Sequence, residues 1–404
     1  MLATGSSYYA PFLGPCALSL EPARTCISRL NENQPMIASE LPLVDTPALL
    51  IDLDIVRRNL EGMQKKADEC WVSLRPHIKT HKIPELAHLQ LRMGAVGVTV
   101  AKVSEAEVMA ESGIEDIFIA NQVVSEEKLN RLAALSKKIN ISVGLDSVSA
   151  AERLSTVFAA SGLTIEYLIE INSGLNRCGV LPGRDVLELY QGVSGLPSLR
   201  FKGIFTHAGQ VYGAGSLAEV MEVSRHESKI MVETAQALKQ MGTSAEIVSV
   251  GSTPTMKVWQ GYEGVNEIRP GNYIFHDAIQ VSLGVATVEE CALTIMATVI
   301  SRPARERAVI DGGSKAFSSD RGAHGKEMST DFGMVLGTKA TLARLSEEHG
   351  IMILDPDEDL KIGDKVRLIP NHACAVVNLF DRAYGITNGE VVEEFKIAAR
   401  GKSQ

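Results

Sequence analysis

The sequence predicts an α/β fold, a TIM-like (β/α)8 barrel followed by a C-terminal all-β domain. Three observations carry this reading. From Leu41 onward, short β-branched apolar runs alternate with stretches whose apolar residues recur at helical spacing. About eight such units lie between SLRPHIK (73–79) and EIRPGNYIF (267–275), which suits a closed barrel better than an open sheet. After about residue 285 the rhythm changes to strands with short turns and almost no helix.

Taken in order, ALLIDLD (48–54) is a short strand, followed by a helix through Arg57 and Met63. SLRPHIK then precedes a helix in IPELAHLQLRMGA (83–95). The strands GVTVAK (97–102), DIFIAN (116–121), ISVGLD (141–146) and IEYLIEIN (165–172) follow, separated by amphipathic stretches. FKGIFTHAG (201–209), a long helix from Leu217 to Met241 and AEIVSVGS (245–252) continue the alternation. An open nucleotide-binding sheet would be expected to show GxGxxG at its first turn, and this chain does not. The expected organisation is residues 1–40 as an extension, 55–285 as the barrel, and 41–54 with 286–404 as the β domain carrying a metal site. ALLIDLD belongs to the β domain in that scheme. The extension reads as a targeting peptide with Arg24 and Arg29, as a disordered tail, or as sequence upstream of a real start at Met36.

Composition narrows the function. With 404 residues, 45% of them hydrophobic, and a net charge of −9, the chain has core enough for two domains and no basic patch for nucleic acid. No run offers the roughly 18 apolar residues of a membrane span. Six cysteines without a CxxC pair read as reduced thiols. A cytoplasmic enzyme with a small-molecule substrate is expected, with organelle targeting by residues 1–35 as the alternative.

Barrel enzymes keep their chemistry at the C-terminal ends of the strands. Lys79, closing SLRPHIK, is placed where desolvation and cationic neighbours lower a lysine pKa and favour carbonyl chemistry. A solvated loop lysine is the alternative, and Lys82 reads as one. Gly251-Ser252-Thr253-Pro-Thr255 supplies hydroxyls and backbone N–H groups for a phosphate, or else a plain turn. Arg269-Pro-Gly271-Asn-Tyr273 adds another close backbone approach and a phenol. Arg177, in LNRCG, reads as an anion or acceptor partner, or as half of a surface ion pair. His372-Ala-Cys374 on an extended segment would place imidazole and thiol on one face, a donor pair suited to zinc, with a buried cysteine and a bonded histidine as the alternative.

In this order the motifs resemble the fold-type III pyridoxal-phosphate enzymes of the D-serine dehydratase and D-threonine aldolase family, from Leu43 to about Lys402. RPHIKTHK implies Lys79 as the cofactor lysine, and LNRCG implies Arg177 facing the pyridine nitrogen. GSTPT and RPGNY imply Gly251, Ser252, Thr253, Gly271 and Tyr273 at the phosphate. EEHG (347–350) and PNHAC imply a metal nearby, held by His372 and Cys374. His207 and Tyr212 join as catalytic residues, Tyr212 also facing the cofactor. The implied cofactors are pyridoxal 5'-phosphate and a divalent metal, zinc for a dehydratase or Mn2+ or Mg2+ for an aldolase. The implied partner is a second copy of the chain in a homodimer, and the substrate a D-β-hydroxy amino acid.

Dehydration to a keto acid and ammonia is expected over retro-aldol cleavage to glycine and an aldehyde. The aldolases present His-x-Asp where this chain has His-x-Cys, and a second histidine where this chain has Tyr212. A racemase needs a second base and has no use for His372 and Cys374. A non-catalytic cofactor-binding barrel would lack the β domain. Arg321 reads as a surface pair, or as a reader of a second substrate carboxylate.

Overall fold

The computed structural model describes residues 44–323 and 327–404, so the expectation for the extension lies outside the described residues. The strands are β1 (Ala48–Asp52), β2 (Ser73–Leu74), β3 (Val98–Val100), β4 (Asp116–Gln122), β5 (Asn140–Leu145), β6 (Ile165–Ile171), β7 (Leu199–Thr206), β8 (Ile247–Val250) and β9 (Glu267–Ile268). Beyond them come β10 (Leu293–Ala304), β11 (Arg307–Ile310), β12 (Gly333–Val335), β13 (Thr341–Leu345), β14 (Gly350–Ile353), β15 (Lys365–Pro370), β16 (Arg382–Thr387) and β17 (Glu390–Lys396). The helices are α1 (Leu53–Glu69), α2 (Pro84–Arg92), α3 (Val103–Glu111), α4 (Glu126–Leu135), α5 (Val148–Ala160), α6 (Arg184–Val193), α7 (Leu217–Gln240), α8 (Thr253–Val258), α9 (Ala278–Ser282), α10 (Ser314–Phe317) and α11 (Ala373–Val377).

Strands β2 to β9 pair in parallel in the order β2-β9-β8-β7-β6-β5-β4-β3. The ring closes where the Val96 N–H donates to Leu74 O at 3.0 Å and the Thr99 N–H to Pro76 O at 2.8 Å. The predicted TIM-like barrel is therefore present, and the C-terminal part is the predicted antiparallel β structure. Its nine strands run β11-β14-β13-β12-β15-β10-β1-β16-β17, and a further β10–β11 pairing curls six of them into a closed ring.

Strand β1 is an apolar run without alternation because both faces are covered. It lies between β10, antiparallel, and β16, parallel, so it belongs to the C-terminal sheet. Helix α1 starts at once, its first turn capped by Asp52, whose Oδ1 accepts from Asp54 N at 3.1 Å and Ile55 N at 3.0 Å. Val56, Leu60, Met63 and Ala67 form its buried stripe at helical spacing. Among the described residues no helix is long and apolar enough to cross a membrane.

Inside the barrel, Phe118, Leu168 and Phe205 form an apolar plug. Above and beside it runs a polar chain. Arg75 Nε donates to Glu267 at 2.9 Å, and Ser249 Oγ donates to the same carboxylate at 2.6 Å. Arg269 donates to Ser249 Oγ and to the Thr206 carbonyl, with its guanidinium 5.2 Å above the Phe205 ring. Glu267 and Arg269 both point inward because residues two apart on a strand share a face. Glu267 is 3% exposed and is the carboxylate between two buried arginines. Removing one partner of a buried ion pair costs about 3–5 kcal/mol, so Glu267→Ala should lose about that much in urea unfolding. A loss under about 1 kcal/mol would show that other groups, Asp116 beside Arg75 among them, compensate the two guanidiniums without Glu267.

Candidate active site

Two cavities open at the C-terminal mouth of the barrel and meet at Lys79. The larger, about 310 Å³, is lined by Lys79, His207, Tyr212, Ser252, Thr253, Gly271, His372 and Cys374, among others. The smaller, about 230 Å³, is lined by Lys79, Arg177, Gly251 and Glu170. His77, His207 and Arg269 border both. Residues spread over about 300 positions of sequence thus converge, with the metal-type pair arriving from the C-terminal part.

Lys79 is not the end of a strand, as the sequence reading had it. Strand β2 stops at Leu74, the pairing runs on as far as His77, whose N–H donates to Pro270 O at 3.0 Å, and Lys79 sits beyond it in a 3-10 turn at Ile78–Thr80. Burial lowers the Lys79 ammonium, helped by the Arg177 and Arg269 charges and opposed by Cys374 and Glu105. His77 is held well below its ordinary value, first by burial and then by the cations Lys79, His207, Arg269 and Arg177, so it is a neutral imidazole. Tyr212 is pushed above the ordinary phenol range by burial and then by Asp277 and Cys374, and Gln280 Nε2 donates to its oxygen at 3.4 Å. Lys82 is not solvated either: it is 7% exposed, with Nζ 3.1 Å from Glu105 and 3.0 Å from Asn378 Oδ1.

The turn after β8 has the features of a phosphate cradle. Gly251 takes φ +121°, a conformation costly for any side chain, and a Cβ there would come within 3.3 Å of Arg269 N. A Cβ on Gly271 would lie 2.9 Å from His77 O and 3.0 Å from Thr80 Oγ1. Thr253 Oγ1 is buried without a hydrogen-bond partner while its residue lines the cavity. A buried hydroxyl left in that state calls for an acceptor, and a phosphate oxygen is one. Tyr273 corrects the sequence reading: its phenol accepts from Gln90 Nε2 at 3.0 Å and the residue lines neither cavity. Asn272 takes its place in the lining.

The His372–Cys374 pair is brought together by a different geometry from the expected one. The segment is not extended through Cys374: His372 stands at the N-cap of α11 and Cys374 lies in its first turn. His372 Nδ1 is 2.8 Å from Asp320 Oδ2, and Thr80 Oγ1 is 3.3 Å from Cys374 Sγ. Burial lowers the His372 pKa, but hydrogen bonds to Asp320 and Cys374 overcome it and lift the value to about 10. Burial also raises the Cys374 thiol, yet His372, Lys79 and Thr80 together bring it below its ordinary value. A thiolate beside an imidazole whose other nitrogen is held by a carboxylate is a donor set for a borderline-soft divalent metal. EEHG forms the β13–β14 connection and lines neither cavity. Arg321 pairs with Glu327 at 2.7 Å, the surface alternative. Asp146, Glu170 and Cys178 also cluster, but their carboxylates already serve Gly179 N, Gln122 and Arg177.

Residues 51–278 match the family described as alanine racemase, N-terminal domain, and residues 292–386 match a serine dehydratase domain. The chain is 33% identical to D-threonine aldolase from Arthrobacter, over 90% of this chain and 95% of the relative. The chain belongs to the D-serine dehydratase and D-threonine aldolase family of fold-type III pyridoxal-phosphate enzymes. A second relative in this family, D-threo-3-hydroxyaspartate dehydratase of Delftia, is also 33% identical, over 82% and 91% of the two chains. The crystal structure of D-threonine aldolase from Filomicrobium marinum superposes with a TM-score of 0.82 at 34% identity, covering 89% of this chain and 97% of that one. The Delftia dehydratase gives 0.82 at 31%, covering 90% and 99%, and a cysteine-to-alanine variant of it is described as a metal-free form.

For a member of this family, two residues escaped the sequence reading. Arg269 is 5% exposed at the centre of the lining, whereas the Arg177 side chain is 46% exposed and lies 3.8 Å from Glu170. Its signal was the strand spacing Glu267-x-Arg269, which puts both side chains inside the barrel. Asp320, next to the Arg321 that was singled out, carried no pattern linking it to a histidine 52 positions away. In metal-free protein, Cys374 should be alkylated by iodoacetamide at lower pH than Cys70, Cys178 and Cys291, whose thiols burial raises. Peptide mass spectrometry across a pH series checks this, and Asp320→Asn should erase the lead.

Proposed function

We propose that this chain is a lyase dependent on pyridoxal phosphate and a metal that dehydrates a D-β-hydroxy amino acid, D-serine or D-threo-3-hydroxyaspartate, to a keto acid and ammonia. The observation that carries the choice of dehydration is Tyr212. It lines the cavity with Cys374 and His372, and burial keeps its phenol protonated. Loss of a β-hydroxyl needs a proton donor at the leaving oxygen, whereas retro-aldol cleavage needs a base at the same oxygen. A phenol held protonated suits the first task.

Lys79 would hold the cofactor, with its phosphate at Gly251, Ser252, Thr253 and Gly271 and its ring toward Arg177 and Arg269. When bound, the cofactor supplies the electron sink for the pair left on Cα. His372 and Cys374 would hold the metal, zinc in this reading, which would supply Lewis-acid polarisation of the β-hydroxyl. The chain's own groups do the rest. Burial and the flanking arginines raise the neutral fraction of the Lys79 amine, which takes the Cα proton. Asp320 fixes the His372 ring by accepting from Nδ1, which leaves Nε2 as the nitrogen to serve a metal. His77, neutral and adjacent, adds no charge that would oppose the departing proton.

Retro-aldol cleavage is the second reading, because His207 borders both cavities and could serve as the base. We further propose a homodimer in a reducing, cytoplasmic compartment, where the free Cys70, Cys178, Cys291 and Cys374 would stay reduced.

Protein loaded with pyridoxal phosphate and zinc, given D-serine, D-threonine or D-threo-3-hydroxyaspartate, should release keto acid and ammonia. Glycine plus an aldehyde would establish the aldolase instead. Cys374→Ala should abolish keto-acid formation and keep the cofactor absorbance; loss of the cofactor or full activity would refute the metal assignment. Tyr212→Phe should lower turnover by roughly 10²–10⁴-fold with cofactor binding intact.

A further inference from the structure

Helix α7 carries a buried group that the reaction above does not use. Its inward face presents Ser224, Glu227 and Ser228 to the turn after β8 and to α8, where a long barrel helix ordinarily places apolar side chains. Ser224 Oγ donates to Thr255 O at 3.0 Å, and Trp259 Nε1 donates to Ser228 Oγ at 3.1 Å, so both serines are accounted for. Glu227 is not. It is 0% exposed, and neither carboxylate oxygen has a well-formed hydrogen bond. The polar groups acting on it are the Thr255 hydroxyl and the Gly251 N–H, which belong to the phosphate-type turn.

We propose that Glu227 is a positioning residue for the phosphate cradle: as a neutral acid it braces the Gly251–Thr255 turn from behind, and as a carboxylate it repels the anion that the turn receives. The inference rests on the reading of this turn as the seat of a phosphate group. Among the described residues, the charged group acting on Glu227 is Arg269, at the end of β9. Strand β8 has no titratable residue, and Lys257 on α8 is paired with Glu290 at 2.6 Å. Arg200 and Lys202 on β7 pair with Glu166 and Glu246, and Tyr212 on the adjoining turn answers to Asp277 and Cys374. Arg184, Asp185 and Glu188 on α6, and His226 and Lys229 on α7 itself, are exposed. Among the described residues, the charge that favours a carboxylate here is thus one arginine already engaged with Glu267, Ser249 and Thr206.

Burial accordingly pushes the Glu227 pKa up from 4.5 to about 7, with Thr255, Gly251 and Arg269 pulling the other way. The sign follows. The folded protein keeps this proton at pH values where the unfolded chain has lost it, so the group's contribution to stability declines as pH rises from 4.5 through about 7. Over the upper part of that window a phosphate monoester, with its second pKa near ~6, is already mostly a dianion. Ionisation of Glu227 therefore places a negative charge behind a doubly negative ligand in a low-dielectric setting.

The test compares pyridoxal phosphate with pyridoxal, which lacks the phosphate, for binding to metal-loaded apoprotein at about pH 6.5 and 8.5 by absorbance titration. The titration of Lys79 affects both ligands and cancels in the ratio of their affinities. In the wild type that ratio should fall on the order of tenfold from the lower to the higher pH, the span over which a group of pKa about 7 ionises. In Glu227→Gln, a neutral isostere of the acid, the ratio should not fall. A flat wild-type ratio, or a Gln variant that falls as the wild type does, overturns the proposal and leaves a carboxyl that only packs a helix. Should the variant not fold, the wild-type profile decides alone. If pyridoxal phosphate binds no better than pyridoxal at either pH, the phosphate reading of the turn itself is wrong and this inference goes with it.

Discussion

The carboxylate of Glu267 sits where the barrel could least tolerate an uncompensated charge, and the rest of the site hangs from it. Arg75 and Arg269 are both buried in the barrel, and each reaches this carboxylate directly or through Ser249. Arg75 has a second carboxylate partner in Asp116, but without Glu267 the buried Arg269 guanidinium would face a desolvation cost of several kcal/mol. With Glu267 in place, Arg269 is fixed between the aromatic plug below and the cavities above, spanning Ser249 and the Thr206 carbonyl. Its charge then reaches Lys79, His77 and Glu227, lowering the two bases and holding down the acid. Burial is the larger influence on all three groups, and this interior ion network adds to it at the two bases and works against it at the acid.

A second constraint joins the barrel to the C-terminal part. Asp277 is fully buried and accepts from Asn272 Nδ2 at 2.6 Å, Gln280 N at 3.1 Å and Ala373 N at 2.9 Å. The last of these holds the first residue of α11, immediately between His372 and Cys374. The Asn272 bond reaches back to the loop that lines the cavity. Asn371 is tied in turn to the carbonyls of Asp320 and Asp331 at 3.0 and 2.7 Å, which steadies the loop that brings Asp320 to His372. The metal-type pair is therefore registered against the phosphate-type turn by hydrogen bonds to buried groups, which are costly to break and correspondingly rigid.

Much of this was legible in the residues. Eight alternations of apolar run and amphipathic stretch gave the barrel because parallel strands covered on both faces must be apolar throughout. The loss of that alternation after about residue 285 marked the β part, and the early ALLIDLD strand pairs with β10 and β16 of its sheet. Lys79, His207, Tyr212, Ser252, Thr253, Gly271, His372 and Cys374 do converge on one cavity, with Arg177 and Gly251 on its neighbour. The misplaced residues share a cause. Tyr273 reads as a site phenol from its motif, yet its ring direction is fixed by Gln90 on α2, 183 positions away. Lys82 reads as solvated because lysines usually are, and only the fold shows Glu105 waiting beside it.

What the sequence by itself determined is whatever depends on local order: strand and helix periodicity, the glycines at Gly251 and Gly271 where backbone comes close, and which residue types occupy the strand ends. Those features are encoded within a few positions of one another, and a spacing rule can read them. Only the tertiary structure decided which charges meet. The pairing of Asp320 with His372, of Glu267 with Arg75 and the burial of Glu227 behind the phosphate-type turn join positions that no period connects. Electrostatics in a barrel interior depends on distance and burial, and both are set by the closure of the ring rather than by any stretch of the chain.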